Sequence, residues 1–242
     1  MGLAIVAGGK PDMAAPVTDI LASDIAVGSV VKLMENGVAT EYLVVNKGIP
    51  QQSSLYDASC DGMWLLRKDI IESRVWAANN ANKLESSDIH SWLNSTMMEK
   101  YDANTKSAIK QVLIPYRKNG GSGGSNQTGA NGLSCKVFLL SGYEVGWTTS
   151  VNPYFPVDGA VLDYFKGTSE TDAKRIAYLN GSAAYWWLRS PHTLNDISVW
   201  YVNSDGKYYG NNSGYSYGVR PALVLPLTSV FNKITMLFKG VA

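Results

Sequence analysis

The most constraining feature of this sequence is a stretch near its C-terminus that is built almost entirely from four residue types. Between Trp200 and Gly218, 15 of the 19 residues are Tyr, Ser, Gly or Asn. Such a stretch lacks the apolar periodicity of a helix, and its Gly and Asn residues favour turns. Tyr supplies rigid contact area and the other three supply adaptable hydrogen bonds, as in antibody combining loops. The stretch therefore predicts a turn-rich β-meander, either as plain structure or as a recognition surface.

Apolar, rigid-looking sequence brackets this stretch on both sides. Residues 186–191 read WWLRSP and residues 218–225 read GVRPALVL. Successive side chains of a strand point to opposite faces, so we expect at least one of Trp186 and Trp187 to be deeply buried. Binding loops are typically polar, variable segments held between rigid elements of this kind. We call the two apolar segments the frame and the polar segment between them the insert.

Arg189 and Arg220 stand at the two ends of the insert. We expect at least one of them to bind local carbonyl groups or a carboxylate and so to fix the loop base. Residues 192–217 could then change side chains without loss of the fold, because surface substitutions cost little. The candidate ligand-binding residues in this segment are His192, Thr193, Leu194, Asn195, Asp196, Ile197, Tyr201, Lys207, Tyr208, Tyr209, Asn211, Asn212, Tyr215 and Tyr217.

A β-hairpin is predicted early in the chain. Apolar and β-branched residues at 30–33 and 42–45 flank Asn36-Gly37. This dipeptide favours a type I′ turn, because both residues accept positive φ angles. A further strand is predicted at 63–66.

Two short helices are predicted to follow. Ser87 is the expected N-cap of the first, and Asp102 is the expected N-cap of the second. The second helix is predicted to continue through Leu113 and to end at Pro115. The segment 119–126 is too rich in glycine to hold one conformation cheaply and is predicted to be a surface loop.

The second half of the chain alternates short apolar runs with turn signals. It predicts helices at 156–165 and 171–178 and strands at 136–140, 185–188, 198–203, 207–209 and 222–225. The fold class is therefore α+β, with two early helices, short antiparallel strands and much loop.

Three segments are predicted along the chain. Residues 1–20 are weakly patterned and are interpreted as an arm or linker, and residues 21–228 form the domain. Residues 229–242 are predicted to be a tail whose apolar part packs either on the core or on a neighbouring subunit.

Composition excludes several classes of function. Lys plus Arg number 21 and Asp plus Glu number 20, so nothing indicates nucleic-acid binding through bulk charge. No apolar run approaches the roughly 18 residues of a membrane span. No CxxC or HxxxH spacing predicts a metal site, and no cofactor is expected. No export signal is predicted, and we expect Cys60 and Cys135 to be free and buried.

Catalytic motifs are also missing from the sequence. No P-loop, GxSxG or HExxH pattern occurs. His90 lies in a predicted helix and His192 lies in a polar loop, so neither predicts a catalytic triad. Asp158 and Asp163 are interpreted as helix-start and helix-surface residues. The protein is predicted not to be an enzyme, although a carbohydrate hydrolase stays an alternative if Asp196 and Asp205 converge across a cleft.

Several blocks together carry a family resemblance. WWLRSP (186–191) and GVRPAL (218–223) resemble the signature of a family found in phages and prophages of gut Firmicutes. Other blocks that fit it are SLYDASCDGMWLLRKDI (54–70), SSDIHSWLN (86–94), AIKQVLIPYR (108–117), FLLSGYEVGWTTS (138–150) and YFPVDGAVLDYF (154–165). The resemblance covers roughly residues 22–228. It implies a C-type-lectin-like fold, similar to that of formylglycine-generating enzymes.

Some members of that family resemble the variable proteins of diversity-generating retroelements, which rewrite adenine positions between the two signature blocks. Rewriting an Asn codon in this way cannot yield Lys, Glu, Gln, Met or Trp. Between positions 192 and 218 only Trp200 and Lys207 are of these types. This depletion is compatible with diversification and does not establish it.

The resemblance implies a non-enzymatic recognition protein of the phage virion. Its expected partners are a bacterial surface protein or glycan and other virion proteins, and a homo-oligomer is an open alternative. A structural virion protein without an external ligand is the alternative function. The resemblance does not extend to calcium or sugar binding, because no Glu-Pro-Asn or Gln-Pro-Asp motif occurs. It also does not extend to oxidase chemistry, since no cysteine lies near the C-terminal signature.

Overall fold

A computed structural model describes residues 18–51, 53–170 and 172–242 of the chain. The helices are α1 (Asp88–Asn94), α2 (Thr96–Lys100) and α3 (Ala103–Ala108). The strands are β1 (Asp19–Leu21), β2 (Val30–Glu35), β3 (Val38–Lys47), β4 (Met63–Arg67), β5 (Glu72–Val75), β6 (Val112–Ile114), β7 (Tyr116–Lys118), β8 (Ser125–Gln127), β9 (Leu133–Cys135), β10 (Val137–Phe138), β11 (Ala177–Leu179), β12 (Ser182–Ala184), β13 (Trp186–Pro191), β14 (Ser198–Val202), β15 (Tyr208–Asn212), β16 (Ser216–Val219), β17 (Ala222–Leu225), β18 (Ser229–Asn232) and β19 (Phe238–Val241).

Two five-stranded sheets dominate the architecture. One has the strand order β10-β17-β4-β3-β2, and the other has the order β15-β14-β13-β16-β5. Neighbouring strands pair antiparallel, except that β13 and β16 run parallel. Mostly antiparallel sheets with a few early helices and long loops make this an α+β protein, as predicted.

The central strands are buried on both faces and separate two apolar clusters. All six residues of β13 and all four of β17 are buried. Their side chains alternate, so that Trp187 and Leu223 join one cluster while Trp186 and Val224 join the other. This explains why β17 reads ALVL and β13 begins WWL, without the alternation of apolar and polar residues that a half-exposed strand shows.

The predicted hairpin is confirmed. Strands β2 and β3 pair in register from Val30↔Leu43 to Glu35↔Val38. The two turn residues between them, Asn36 and Gly37, have φ angles of 48° and 78°. Both values are positive, as a type I′ turn requires.

Replacing Gly37 by Ala is expected to lower the free energy of unfolding by about 1–2 kcal/mol, because a side chain at this φ of 78° is strained. Gly123 is a matched control, since an added Cβ there meets no atom within 4 Å and its φ is not positive. Gly123→Ala should change stability by less than about 0.5 kcal/mol. Urea denaturation compares them, and equal losses would contradict the turn assignment.

Both predicted helix caps are confirmed, but the second helix is shorter than predicted. The Ser87 hydroxyl accepts from the N–H of His90, and the Asp102 carboxylate accepts from the N–H of Thr105. The second helix, α3, ends at Ala108 rather than near Leu113. The residues that follow form β6, because pairing with β9 outweighs their local helical pattern.

The helices predicted at 156–165 and 171–178 are wrong. Among the described residues of these two stretches, the structure has only short 3-10 turns, at Asp163–Phe165 and Ala173–Arg175, and the second is followed by β11. Two of the main-chain N–H groups between positions 156 and 165 find distant acceptors instead of helical ones. That of Ala160 donates to the Tyr56 hydroxyl, and that of Leu162 donates to the Glu144 carbonyl.

The strands predicted in the second half are present, with shifted ends. Residues 137–140 are all buried, but only Val137 and Phe138 pair as a strand, with β17. The predictions at 185–188, 198–203, 207–209 and 222–225 correspond to β13, β14, β15 and β17. Tertiary pairing decides where each strand ends.

The fold includes both predicted terminal segments as far as they are described. Residues 1–17 lie outside the described residues, whereas β1 pairs with β18, which in turn pairs with β19. Phe231 is fully buried in the core, and Lys239 forms an ion pair with Asp19 at 2.7 Å. Residues 229–242 therefore pack on the core rather than forming a tail. Among the described helices, none is long and apolar enough to span a membrane.

Candidate functional site

The frame of the candidate site begins with two tryptophans on opposite faces of β13. The indole N–H of Trp186 donates to the carbonyl of Arg175 at 2.9 Å. The indole N–H of Trp187 donates to the carbonyl of Arg74 at 3.0 Å. Both rings are fully buried, which confirms the prediction for at least one of them. Two buried, hydrogen-bonded tryptophans hold this strand firmly between the two clusters.

Arg189 fixes the other end of β13. Its guanidinium forms a bidentate ion pair with Glu144, with N···O distances of 2.5 and 2.6 Å. Its other N–H groups donate to the carbonyls of Pro115, Leu139 and Asp158. Every guanidinium N–H therefore has an acceptor, which compensates the buried charge. The prediction that at least one flanking arginine anchors the loop base is confirmed.

Glu144 is equally well held from its other side. Its carboxylate accepts from the hydroxyl of Tyr56 at 3.0 Å and from the N–H of Ser141 at 3.0 Å. Sequence reasoning missed Glu144, because a charged residue in a loop-like stretch normally lies at the surface. The buried pair with Arg189 depends on contacts far apart in sequence.

Asp158 lies beside this pair and is fully buried. One carboxylate oxygen accepts from the Ser190 hydroxyl at 2.7 Å, whereas the other has no partner within the described ranges. Burial raises the pKa of this carboxyl to about 7. The interpretation of Asp158 as a helix-start residue is wrong, because no helix begins here and the chain turns inward to meet β13.

Arg220 at the other end of the insert is also buried. Its Nε donates to the carbonyl of Arg67 at 2.9 Å, and its guanidinium lies 4.9 Å from the ring centroid of Trp186. Burial lowers the pKa of this guanidinium to about 10. Both arginines therefore brace the frame, although Arg189 has the fuller set of acceptors.

Five tyrosines gather on one face of the sheet β15-β14-β13-β16-β5, and we call this group the tyrosine face. They come from the strands and from the residues next to them, and they are Tyr185, Tyr201, Tyr209, Tyr215 and Tyr217. Their ring centroids lie 4.6–6.4 Å from the nearest neighbouring tyrosine ring. Trp187 forms the floor, 4.7 Å from Tyr217 and 6.0 Å from Tyr201.

The tyrosine face is graded from a buried base to an exposed rim. Tyr201 is 9% exposed, whereas Tyr185, Tyr209 and Tyr215 are 40%, 44% and 56% exposed. Half-buried Tyr217 accepts a hydrogen bond of 2.6 Å from the side-chain amide of Asn211. Burial and the neighbouring tyrosines raise the pKa of Tyr201. The rings thus support one another while three of them remain available to a ligand.

Among the candidates, Tyr208 does not lie on this face, and Lys207 already has a partner. Tyr208 points to the opposite face of the sheet, where its ring meets Trp147, Phe155 and Trp200 at 5.3–5.6 Å. Lys207 forms an ion pair with Glu170 at 3.1 Å. Tyr208 and Tyr209 are neighbours in sequence, and the alternation of a strand separates them.

The loop of residues 192–197 forms a second, separate part of the predicted site. The His192 ring stacks between Tyr154 and Trp200, at centroid distances of 4.8 and 5.1 Å. Its Nδ1 accepts from the N–H of Leu194 at 3.2 Å, and burial lowers its pKa. Leu194 and Ile197 are exposed, with 65% and 44% of their surface accessible. This loop could contribute apolar contacts of its own.

The polar side chains of the same loop already have partners. Asn195 accepts through Oδ1 from the N–H groups of Ile197 and Ser198. The Asp196 carboxylate accepts from the N–H and hydroxyl of Ser122, which lowers its pKa. Asp196 ties the loop to the glycine-rich segment and Asn195 stabilises the turn of the loop itself, so both side chains make local contacts.

The three remaining candidates, Thr193, Asn211 and Asn212, make hydrogen bonds within the protein. Thr193 is half-buried, and its N–H donates to the carbonyl of Tyr154. The side-chain oxygen of Asn212 accepts from the N–H of Gly214 at 2.9 Å. Asn211 contributes to the tyrosine face through Tyr217, as described above. Tyr185, by contrast, was missed, although its position two residues before Trp187 places it on the same face.

The described residues show neither a cluster of metal-ligating side chains nor a cleft that Asp196 and Asp205 share. In the part of the chain that the structure describes, no three His, Cys, Asp or Glu side chains form a group able to hold a metal ion. A cleft of about 440 Å³ contains Asp196 and no second carboxylate in its lining. Asp205 instead accepts from the N–H of Lys207 in its own turn. Cys60 and Cys135 are free and buried, as predicted.

Comparison with known proteins identifies a family and nothing further. A model described as Domain of unknown function (DUF6273) matches residues 61–227. This span is more than half of the chain, and the protein therefore belongs to that family. Neither a curated protein nor a solved structure matches the sequence.

Proposed function

We propose that this member of the DUF6273 family is a non-enzymatic recognition module whose ligand binds the tyrosine face. The observation that carries the proposal is the group of three exposed tyrosines, Tyr185, Tyr209 and Tyr215, mounted over the buried Trp187. An exposed aromatic group of this kind is rare on a surface without a partner. Tyrosine is enriched at the energetic centres of binding sites.

The buried contacts beneath the tyrosine face support the same proposal. The tyrosine face stands on strands that two tryptophans and the pair of Arg189 with Glu144 hold in place. Side chains on the rim can therefore change without disturbing buried contacts. A rigid scaffold under a variable surface is how recognition loops are usually built.

We further propose a C-type-lectin-like fold and an origin in a phage or prophage. Support comes from the sequence blocks that resemble such a family, and from their positions, since WWLRSP forms β13 and GVRPAL spans the join of β16 and β17. The segment between them contains most of the tyrosine face. A virion location, other virion proteins as neighbours and a bacterial surface protein or glycan as the ligand follow from this proposal.

The proposal predicts that exposed tyrosines, rather than buried ones, determine binding. Labelled protein, assembled on streptavidin to increase avidity, is incubated with intact cells of a panel of gut Firmicutes and measured by flow cytometry. The variant Tyr185→Ser/Tyr209→Ser/Tyr215→Ser should lose at least about tenfold in binding to any strain that the wild type labels, because each such contact contributes about 1 kcal/mol or more.

Tyr178→Ser is the matched control, since Tyr178 is 47% exposed on β11, outside the tyrosine face. It should bind as the wild type does. Circular dichroism and thermal unfolding show whether the triple variant is folded. A folded triple variant that labels cells like the wild type would contradict the proposal and favour a structural virion protein without an external ligand.

A further inference from the structure

A cleft of about 440 Å³ lies where three loops meet, and we call it the loop cleft. Its lining comes from residues 79–83, residues 119–123 and residues 196–197, and no member of the tyrosine face belongs to it. The volume falls within the range of about 300–1,000 Å³ that is usual for small-molecule sites. The loop cleft is therefore a second concave surface beside the insert.

Buried Asn82 joins the three loops. Its side-chain amide donates to the carbonyls of Asn195 at 2.6 Å and Ser198 at 2.8 Å, and its side-chain oxygen accepts from the N–H of Gly121 at 2.9 Å. The main-chain N–H of Asn82 donates to the carbonyl of Asp196 at 3.0 Å. Because one buried side chain links all three loops, the walls of the cleft are preorganised for a ligand.

The glycine-rich loop forms a closely packed wall of the cleft. A Cβ added at Gly120 would clash with the Asn82 side chain, and one added at Gly121 would clash with the Asp196 carboxylate. The guanidinium of Arg117 donates to the carbonyls of both glycines at 2.8–3.0 Å. Glycine allows this close approach of the backbone to its neighbours, so the loop is held in place despite its composition.

Several polar groups that line the cleft are left without a partner. Within the described part of the chain, the Lys83 ammonium and the side-chain amides of Asn80 and Asn119 make no hydrogen bond or ion pair. The Asp196 carboxylate accepts from Ser122 through one oxygen, and its other oxygen has no partner there. Hydrogen-bond donors and acceptors are thus both available to a ligand in one cleft.

The balance of charge in the lining favours a neutral ligand. Lys83 and Asp196 carry opposite charges, and no third charged residue lines the cleft among the described residues. A ligand with one net charge would be attracted by one of the two groups and repelled by the other. A hydroxyl group suits both, because it has one donor and two acceptor positions. Ala81 and Ile197 add apolar contact area for carbon-bound hydrogens.

We propose that the loop cleft binds a neutral sugar unit. The Lys83 ammonium and the Asn119 amide donate to its hydroxyl oxygens, and the free oxygen of Asp196 accepts from one of its hydroxyl groups. The carbon-bound hydrogens of the sugar ring pack on Ile197. The lining of the cleft carries this assignment, which needs no lectin motif and does not rest on the proposed function of the tyrosine face. A single sugar bound in so open a cleft should have a Kd of about 1 mM.

Titration of isotope-labelled protein, followed by two-dimensional NMR, tests the assignment. The probes are the methyl glycosides of glucose, galactose, mannose and N-acetylglucosamine, each raised to roughly 50 mM. At least one of them should shift the amide signals of Lys83, Asn119 and Ile197. Acetyl-alanine amide, a neutral probe with the donors and acceptors of a peptide, should bind at least about tenfold more weakly than that glycoside.

A double variant removes two proposed donors without straining the backbone. Lys83→Met/Asn119→Gly should weaken binding of that glycoside at least about tenfold, and glycine accepts the φ of 64° at position 119. Lys233→Met/Asn180→Gly is the matched control. Asn180 also has a positive φ, of 52°, and both control residues are exposed outside the cleft. The control variant should bind the glycoside as the wild type does.

Four results would overturn the proposal. These are no shift of the cleft signals with any glycoside, equal binding of the glycoside by wild type and a folded Lys83→Met/Asn119→Gly, tighter binding of the peptide probe than of every glycoside, and loss of glycoside binding in a folded Tyr185→Ser/Tyr209→Ser/Tyr215→Ser. The third result would assign the cleft to a protein segment. Glycoside binding that survives in the triple tyrosine variant, whether or not that variant labels cells, would support a sugar site separate from the tyrosine face.

Discussion

Replacing Arg189 by Met is expected to lower the free energy of unfolding by about 3–5 kcal/mol, a large part of a typical domain's stability. Glu144 would remain fully buried without its guanidinium partner. The carbonyls of Pro115, Leu139 and Asp158 would also lose a donor. Urea unfolding followed by circular dichroism measures the change.

An exposed ion pair supplies the control for this prediction. Lys68→Met removes a contact of 2.7 Å with Glu41, and both side chains are more than 40% exposed. Its cost should stay below about 1 kcal/mol. The double variant Arg189→Met/Glu144→Met should be more stable than Arg189→Met alone, because no unpaired charge remains. Equal losses for Arg189→Met and Lys68→Met would contradict the role of the buried pair.

Replacing Asp158 by Asn is expected to remove much of the pH dependence of stability between about pH 4 and pH 7. Burial raises the pKa of Asp158 from 3.8 to about 7 in the folded protein. Below 3.8 both the folded and unfolded states are protonated. At higher pH only the unfolded state ionises, so the wild type loses stability as pH rises towards 7, by up to about 4 kcal/mol.

The measurement compares the unfolding free energies of wild type and Asp158→Asn at several pH values. Asn mimics the neutral acid, so the difference between the two curves should grow in favour of Asn as pH rises. The difference in unfolding free energy at any single pH also includes the cost of placing an amide beside Ser190, so the change with pH is the informative quantity. Asp205→Asn, in an exposed turn, is the control and should run parallel to the wild type. Parallel curves for Asp158→Asn would contradict the raised pKa.

Features determined by neighbouring residues could be predicted from the sequence. The turn at Asn36-Gly37 follows from the tolerance of these residues for positive φ. The helix caps at Ser87 and Asp102 follow from side chains that reach their own backbone. The burial of at least one of Trp186 and Trp187 follows from the alternation of a strand in an apolar setting, whereas the burial of both depends on the packing of β13 on both faces.

Features determined by distant partners could not be predicted in the same way. The segment 112–114 has a helical pattern, and only its pairing with β9 makes it a strand. Asp158 has the composition of a turn residue, and its burial depends on Ser190 and Arg189, about 30 positions away.

For the candidate site, the sequence likewise could not assign individual residues to one face of the sheet or the other. Composition identified the segment 192–217, but it could not separate Tyr209, on the tyrosine face, from Tyr208, on the other. That separation depends on the pairing register, and a shift of one residue reverses it. Tyr185 was missed because it precedes the polar insert and was grouped with the apolar frame.

The central claim, that a fixed frame supports a replaceable binding surface, is tested most directly by saturation mutagenesis of residues 185–220. Each displayed variant is scored at once for folding and for binding to cells that the wild type labels. At Tyr185, Tyr209 and Tyr215, most substitutions should reduce binding and leave folding intact. At Trp186, Trp187 and Arg189 most substitutions should lower the folded fraction. Folding that is lost at the exposed tyrosines and kept at the tryptophans would contradict the account.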